Sequence, residues 1–337
     1  MTIQPLSRED IIRTIEGTGH APRVPVMLHL WNGAGAFAPE QQPFVTALQA
    51  KYPQDVDFKM PSMPGISGSN RWINYKDITD DGRHGLDSNC YMEDIEAEID
   101  RFIETMPDAN HPELFAGLTP SSGERYTLIH WWYWLFERQW WLRGMENALT
   151  DFYLYPEETH KLFAALTQYY KQVIRRARKE LHVDGVFISD DIGTQNGPFF
   201  SPEIFREFFL PYYRELIEEA HRLGMHFWMH SCGNIESFIP DLIEAGLDVL
   251  HPIQKYTMNQ QEIAAKYGSK LCIWAGFDVQ QTIPYGTPEE VAAEVRFLKE
   301  TFDRPEGRFM LTAGNGITGD CPLPSLEALY AACYGER

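Results

Sequence analysis

The residues with the most evident chemistry are His230 and Cys232, two apart in the run His226-Phe-Trp-Met-His230-Ser-Cys232-Gly-Asn234. The run opens as an apolar, strand-like stretch after the turn signal Leu223-Gly224. It ends in a loop ahead of a helix beginning at Ile235. An imidazole and a thiol on the loop leaving a strand can face the same space, and zinc favours that pair of donors. Zinc takes at least three protein ligands, so the pair alone also reads as a buried thiol beside a hydrogen-bonded histidine. A second reactive group closes the run Asp184-Gly-Val-Phe-Ile-Ser-Asp-Asp191 with two consecutive carboxylates. Strand side chains alternate, so only one of Asp190 and Asp191 should face an interior.

Both groups sit at strand ends in a chain that repeats strand, loop and helix. Strands are expected at 24–30, 55–60, around 126–131, 184–191, 225–229, 248–254, 270–275 and 308–312. Helices are expected after the start signal at Ser7, then over 42–51, 93–105, 156–182, 201–221, 235–245, 262–267, 287–302 and 324–334. Eight strands alternating with helices, without a composition break, predict one (β/α)8 TIM-barrel domain over residues 1–337. An open doubly wound sheet is the rival, but no Gly-rich dinucleotide fingerprint follows the first strand. Residues 61–92 hold few periodic apolar positions and read as an extended N-terminal excursion serving a site or a lid.

In a barrel, catalytic groups gather where strands end. That rule puts His29, Trp31, Asp57, Trp131, Asp190, Asp191, His230, Cys232, His251, Gln254, Asp278 and the stretch Asn315 to Cys321 at one end. His29, Asp190 and Asp191 are the candidate acid–base residues. Trp31, Trp131, Gln195, Gln254, Asp278 and Asn315 are the candidate substrate contacts. The aromatic run Trp131 to Trp141 is either core or a flat apolar wall of a pocket.

A formal net charge of −19 argues against nucleic acid as a partner, because phosphate binding needs a concentrated basic surface. The basic stretch Lys171 to Lys179 is interleaved with apolar residues and reads as the solvated face of a helix. No run approaches the ~18 apolar residues of a membrane span, and the start of the chain lacks a secretory pattern. A cytoplasmic location follows as the expectation, with five reduced cysteines at irregular spacing.

Four elements together resemble the uroporphyrinogen decarboxylase superfamily: Asp190-Asp-Ile-Gly-Thr-Gln195, the segment 211–230, His230-Ser-Cys-Gly233, and Gly246-Leu-Asp-Val-Leu-His-Pro-Ile-Gln254. The likeness extends through Leu142-Arg-Gly-Met-Glu146, Gly276-Phe-Asp278 and Gly286-Thr-Pro-Glu-Glu290 to Asn315-Gly-Ile-Thr-Gly-Asp-Cys-Pro-Leu323, and is loose before residue 140. It is strongest to the cobalamin-dependent methyltransferase branch. The resemblance implies a (β/α)8 barrel that moves a methyl group between a small methylated donor and a corrinoid held by a carrier protein. It further implies a zinc ion on a His-x-Cys element plus a later cysteine. Cys321 is the candidate for that later ligand, although the family position aligns with Asn315. Asp190 or Asp191 as third ligand, or loss of zinc, remain open. An aromatic methyl ether or a methylamine would suit the aromatic wall. Relatives occur as monomers or dimers, so a homodimer is among the expected assemblies. The alternatives are a decarboxylase of the uroporphyrinogen type or a non-catalytic corrinoid- or tetrapyrrole-binding protein. The first strand-loop, Met27 to Gly35, carries no arginine to pair with the carboxylates of a porphyrinogen.

Overall fold

The computed structural model describes residues 3–62, 72–76 and 90–335. Most of the excursion expected over 61–92 lies outside the described residues. Seven parallel strands form one sheet in sequence order: β1 (Val56–Lys59), β2 (Tyr126–Trp131), β3 (Gly185–Ser189), β4 (His226–His230), β5 (Val249–His251), β6 (Cys272–Phe277) and β7 (Phe309–Ala313). The helices between them cover the outer face, as the right-handed crossovers of a parallel sheet require. The long helix Pro156–Leu181 and the helix Pro288–Phe302 match the expected spans to within a residue.

The eighth position is filled by residues 24–30, expected as a full strand. They make only isolated parallel bridges, Val26 to Leu311 and Leu30 to Ile317. On the β7 side the pairing is backbone to backbone: Met27 N donates to Leu311 O at 3.1 Å, and Leu311 N to Pro25 O at 2.8 Å. On the β1 side the side-chain amide of Gln54 stands in for a partner strand. It accepts from Leu28 N at 2.6 Å and donates to Leu28 O at 3.0 Å. The fully buried carboxylate of Asp55 accepts from Leu6 N and Val26 N, each at 2.8 Å, and pairs with Arg23. The segment therefore closes the barrel without a regular ladder, and the fold is the expected (β/α)8 barrel.

Two buried layers follow from the period of two along each strand. Inward-facing Val56, Tyr126, Leu128, Phe187, Trp228, Val249, Cys272, Trp274 and Met310 fill the barrel. The helix Arg8–Glu16 plugs its lower end with Ile11 and Ile15, and starts at the Ser7/Asp10 capping box that the sequence signals. Outward residues such as Ile129, Trp131, Val186, Ile188 and Met229 pack against the helices. Each large side chain buried this way contributes roughly 1.5–3 kcal/mol.

The expected helix over 201–221 is interrupted. A short turn at Pro202–Ile204 passes into a π-helical segment, Phe205–Phe209, before the α-helix Leu210–Arg222. Pro211 has no N–H to donate back into the preceding turn, which favours a wider turn there. No helix among the described residues is long and apolar enough to cross a membrane.

Candidate active site

His230 ends β4 facing inward, and Cys232 follows at the same parity. Asp191 has the inward parity after β3. One ligand atom from each of Asp191, His230 and Cys232 lies within 4.8 Å of the others. The Cys232 Sγ is 3.4 Å from His230 Nε2, and Asp191 Oδ1 is 3.3 Å from the same nitrogen. Cys232 N donates to Asp191 Oδ1 at 2.8 Å, tying the two loops together.

Two glycines allow that approach. A Cβ on Gly193 would lie 2.7 Å from Cys232 O. Gly233 has φ +82°, and a Cβ there would lie 2.4 Å from the Gly193 backbone. The loops after β3 and β4 consequently touch, with Asn234 N donating to Thr194 O at 2.7 Å. The glycines of Asp-Asp-Ile-Gly and His-Ser-Cys-Gly thus bring the three donors together.

His251, at the end of β5, fixes the state of His230. Its Nε2 is 2.9 Å from Ala313 O, a pure acceptor, so that nitrogen carries the proton. The bare Nδ1 of His251 lies 2.6 Å from Nδ1 of His230, which must therefore donate. What remains of His230 is Nε2, directed at Cys232 and Asp191. A carbonyl-anchored partner that sets a histidine's tautomer is the usual support of a metal-ligating imidazole. Burial opposes charge on His230, but the facing Cys232 and Asp191 prevail and hold its pKa well above the ordinary value. Burial likewise opposes charge on Asp191, and the His230 contact outweighs it and lowers that carboxyl. His251 is pushed well down by burial and by His230.

A cavity of about 260 Å³ opens beside this cluster. Phe58, Phe187 and Trp274 form its base, with Phe187 and Trp274 edge-on at 5.2 Å between ring centres. His29, His130, His230, His251 and Trp132 also line it, with Trp31, Met60 and Asn315. Among the described residues lining it there is no Lys, Arg, Asp or Glu. Burial lowers the His29 pKa, with His230 adding to the effect.

The expected site residues divide. His29, Trp31, Asn315 and His230 line the cavity, and the Trp31 Nε1–H is spent on Ala34 O at 2.8 Å. Asn315 also reaches toward Cys232, Nδ2 to Sγ at 3.9 Å. A smaller cavity of about 50 Å³ is lined by Cys232, Asn315, Gln254 and Asp278. There Gln254 Oε1 accepts from Gly233 N at 2.8 Å, holding the turn after Cys232. The Asp278 carboxylate accepts from the amides of Gln280, Gln281 and Thr282 and caps the short helix Thr282–Tyr285. Gln195 is exposed on the loop after β3 and is not among the residues lining either cavity.

Three expectations need correction. Asp190 points outward, and its buried oxygens accept from the amides of Leu135 (3.0 Å), Phe136 (3.2 Å) and Glu137 (2.8 Å) and from the Tyr213 hydroxyl (2.5 Å). It caps the helix Phe136–Arg143 and has no free face for proton transfer. Burial pushes its pKa up to about 6, against the pull of those four donors. Trp131 also points outward, stacked on Trp134 at 4.6 Å, so Trp132, directly after β2, is the tryptophan that reaches the cavity. Cys321 is buried away from the donor cluster, its Sγ directed at Pro322 O at 3.6 Å, with burial raising the thiol to about 12. The third donor beside His230 and Cys232 is Asp191.

Sequence reasoning left out Glu137 and His130, and held Trp132 only as part of the aromatic run Trp131 to Trp141. Glu137 is buried behind Asp191 and accepts from Ser189 Oγ at 3.1 Å and Tyr133 N at 2.8 Å. Burial, then Asp191 and Asp190, raise its pKa well above the ordinary value. Nothing in its local sequence marks it. Counting alternate residues from Tyr126 would have found His130 and Trp132.

The barrel and this donor cluster define an α/β-barrel protein with a site at the carboxyl ends of its strands. Residues 142–335, more than half of the chain, match the uroporphyrinogen decarboxylase family (URO-D), and the chain belongs to that family. No curated protein matches it by sequence. Among solved structures it is similar to a methyltransferase from Methanosarcina mazei, with 14% identity and a TM-score of 0.62, covering 98% of both chains. It is also similar to xylanase B from Clostridium stercorarium F9, with 12% identity and a TM-score of 0.44, covering 97% of this chain and 99% of that one.

Proposed function

We propose that this protein is a methyltransferase that moves a methyl group from a small methylated donor to a corrinoid on a partner protein, with a zinc ion at Asp191, His230 and Cys232. The observation that carries the reading is the convergence of one imidazole, one thiol and one carboxylate within 4.8 Å beside a closed-bottomed aromatic cavity. Three protein donors with a fourth position left for substrate is the pattern of a catalytic zinc site, and His251 presents the correct nitrogen of His230. The Methanosarcina methyltransferase, alike over its full length, supports the same reaction class.

The methyl carbon would leave the donor's heteroatom, which keeps the bonding pair, for a cobalt(I) corrinoid that supplies the pair of the new bond. A zinc ion bound at the cluster would supply Lewis-acid polarisation of that heteroatom. The chain's own residues do the rest. Phe58, Phe187 and Trp274 exclude water from the base of the cavity, and Trp132 and Trp31 offer ring faces along which a flat donor can lie. Asp191 holds the Cys232 loop through its amide, so the thiol and the imidazole keep a common focus.

Decarboxylation of a porphyrinogen fits less well. A cavity of about 260 Å³ is small for a tetrapyrrole, and its described lining offers no cation to the carboxylates.

The test is elemental analysis followed by turnover. About one zinc per chain is expected, lost in Asp191→Ala and Cys232→Ser and retained in Cys321→Ser. Incubation with cob(I)alamin and a panel of methoxyarenes, methylamines and methyl thioethers should yield methylcobalamin from at least one donor. No methylcobalamin from any of them rejects the reaction, and metal-free protein from a reducing preparation rejects zinc.

A further inference from the structure

Among the described residues lining the cavity, His130 has one ring nitrogen held by a backbone carbonyl and the other left as an acceptor. Its Nδ1 is 2.9 Å from Phe187 O, so Nδ1 carries the proton and Nε2 presents a lone pair. No hydrogen bond engages Nε2 among the described residues, and this nitrogen is not sealed in the core, because His130 lines the cavity. The ring is held on every side: stacked on Phe187 at 4.6 Å, edge-on to Trp132 at 4.4 Å and to Phe58 at 5.9 Å. Only 4% of the residue is exposed, and burial drives its pKa down to about 3, so the imidazole stays neutral.

We propose that His130 is the specificity-determining residue of this cavity, and that its Nε2 accepts a hydrogen bond from a hydroxyl on a neutral, single-ring aromatic ligand. The size of the ligand follows from the space. A cavity of about 150 Å³ holds benzene, so about 260 Å³ accommodates one ring with two small substituents. Its neutrality follows from the described lining, which is mostly aromatic and apolar and has no Lys, Arg, Asp or Glu. The hydroxyl follows from Nε2, since a rigid buried acceptor left without a donor penalises any ligand that displaces its water and offers nothing in return. His130 and His230 face the same cavity with Trp132 between them, its ring 4.4 Å from one and 6.4 Å from the other. A ring lying along Trp132 therefore has its hydroxyl at His130 and its other substituent toward the donor cluster.

This inference rests on the reading that the cavity is the substrate site, and not on methyl transfer itself. The test is binding to the purified full chain, without corrinoid, followed by tryptophan fluorescence and calorimetry. The probes are 2-methoxyphenol, methoxybenzene and 1,2-dimethoxybenzene, the last two bracketing the first in size without its O–H. The wild type should bind 2-methoxyphenol at least tenfold more tightly than either ether. His130→Phe should erase the difference by weakening 2-methoxyphenol alone, and His130→Gln, which keeps an acceptor, should restore part of it. Equal affinity for all three probes in the wild type overturns the proposal, as does binding of none. A preference that survives in His130→Phe overturns it too. A preserved preference in protein that makes no methylcobalamin would sink the methyl-transfer reading and leave this one standing.

Discussion

Replacing Asp190 by alanine tests whether this carboxylate is a helix cap or a catalytic acid. The side chain is wholly buried and accepts from four donors: the amides of Leu135, Phe136 and Glu137 and the Tyr213 hydroxyl. Losing a helix cap costs about 0.5–2 kcal/mol. Each buried donor left without an acceptor costs about 1–3 kcal/mol. The three amides start one helix turn and Tyr213 can rotate, so the terms overlap, and a total loss of about 3–5 kcal/mol is expected. Domains are stable by only about 5–15 kcal/mol, so Asp190→Ala should unfold at markedly lower urea. Asp190→Asn keeps a side-chain carbonyl and should recover more than half of the loss. Both variants, where folded, should leave the proposed zinc binding at the wild-type level, because Asp190 is not among the three clustered donors. Urea unfolding followed by circular dichroism gives the energies, and elemental analysis gives the metal. A stability within about 0.5 kcal/mol of the wild type for Asp190→Ala would refute the capping argument. Loss of zinc from well-folded Asp190→Asn would refute the separation of Asp190 from Asp191.

The neighbouring tryptophans at the end of β2, Trp131 and Trp132, should behave oppositely. Trp131→Ala removes a fully buried ring stacked on Trp134 and should cost about 3–5 kcal/mol without changing the affinity of folded protein for an aromatic probe. Trp132→Ala should cost far less stability and weaken that probe, as titration of intrinsic fluorescence would reveal. A third expectation concerns pH. His221 donates from Nε2 to Asp248 at 2.8 Å, and that hydrogen bond raises its folded pKa above the ordinary value. A raised folded value means a contribution fully present below about pH 6.5 and lost as pH rises through the folded value. The melting temperature should therefore fall with rising pH more in the wild type than in His221→Gln, and parallel pH profiles would refute the pairing.

Much of this architecture was legible in the chain. Continuous apolar runs separated by amphipathic helices specify a parallel barrel, because neither face of such strands can remain in water. The strand-end rule then located His29, Trp31, Asp191, His230, Cys232 and Asn315 at one mouth without any coordinates. The alternation argument also fixed that only one of Asp190 and Asp191 could look inward, though not which one, since the choice depends on register against β2 and β4. The same uncertainty of one residue exchanged Trp131 for Trp132.

Sequence by itself determined the fold and the kinds of donor available, because patterning and residue type are local properties. Tertiary structure alone decided which donors meet. Asp191 rather than Cys321 joins His230 and Cys232 because Gly193 and Gly233 let two loops touch across 40 residues of chain, whereas the Cys321 thiol turns into its own loop. The tautomers of His230 and His130 were likewise invisible, since each is set by a carbonyl or imidazole from another strand. A proton's position on a ring depends on what stands a hydrogen bond away, and only the closed barrel supplies that neighbour.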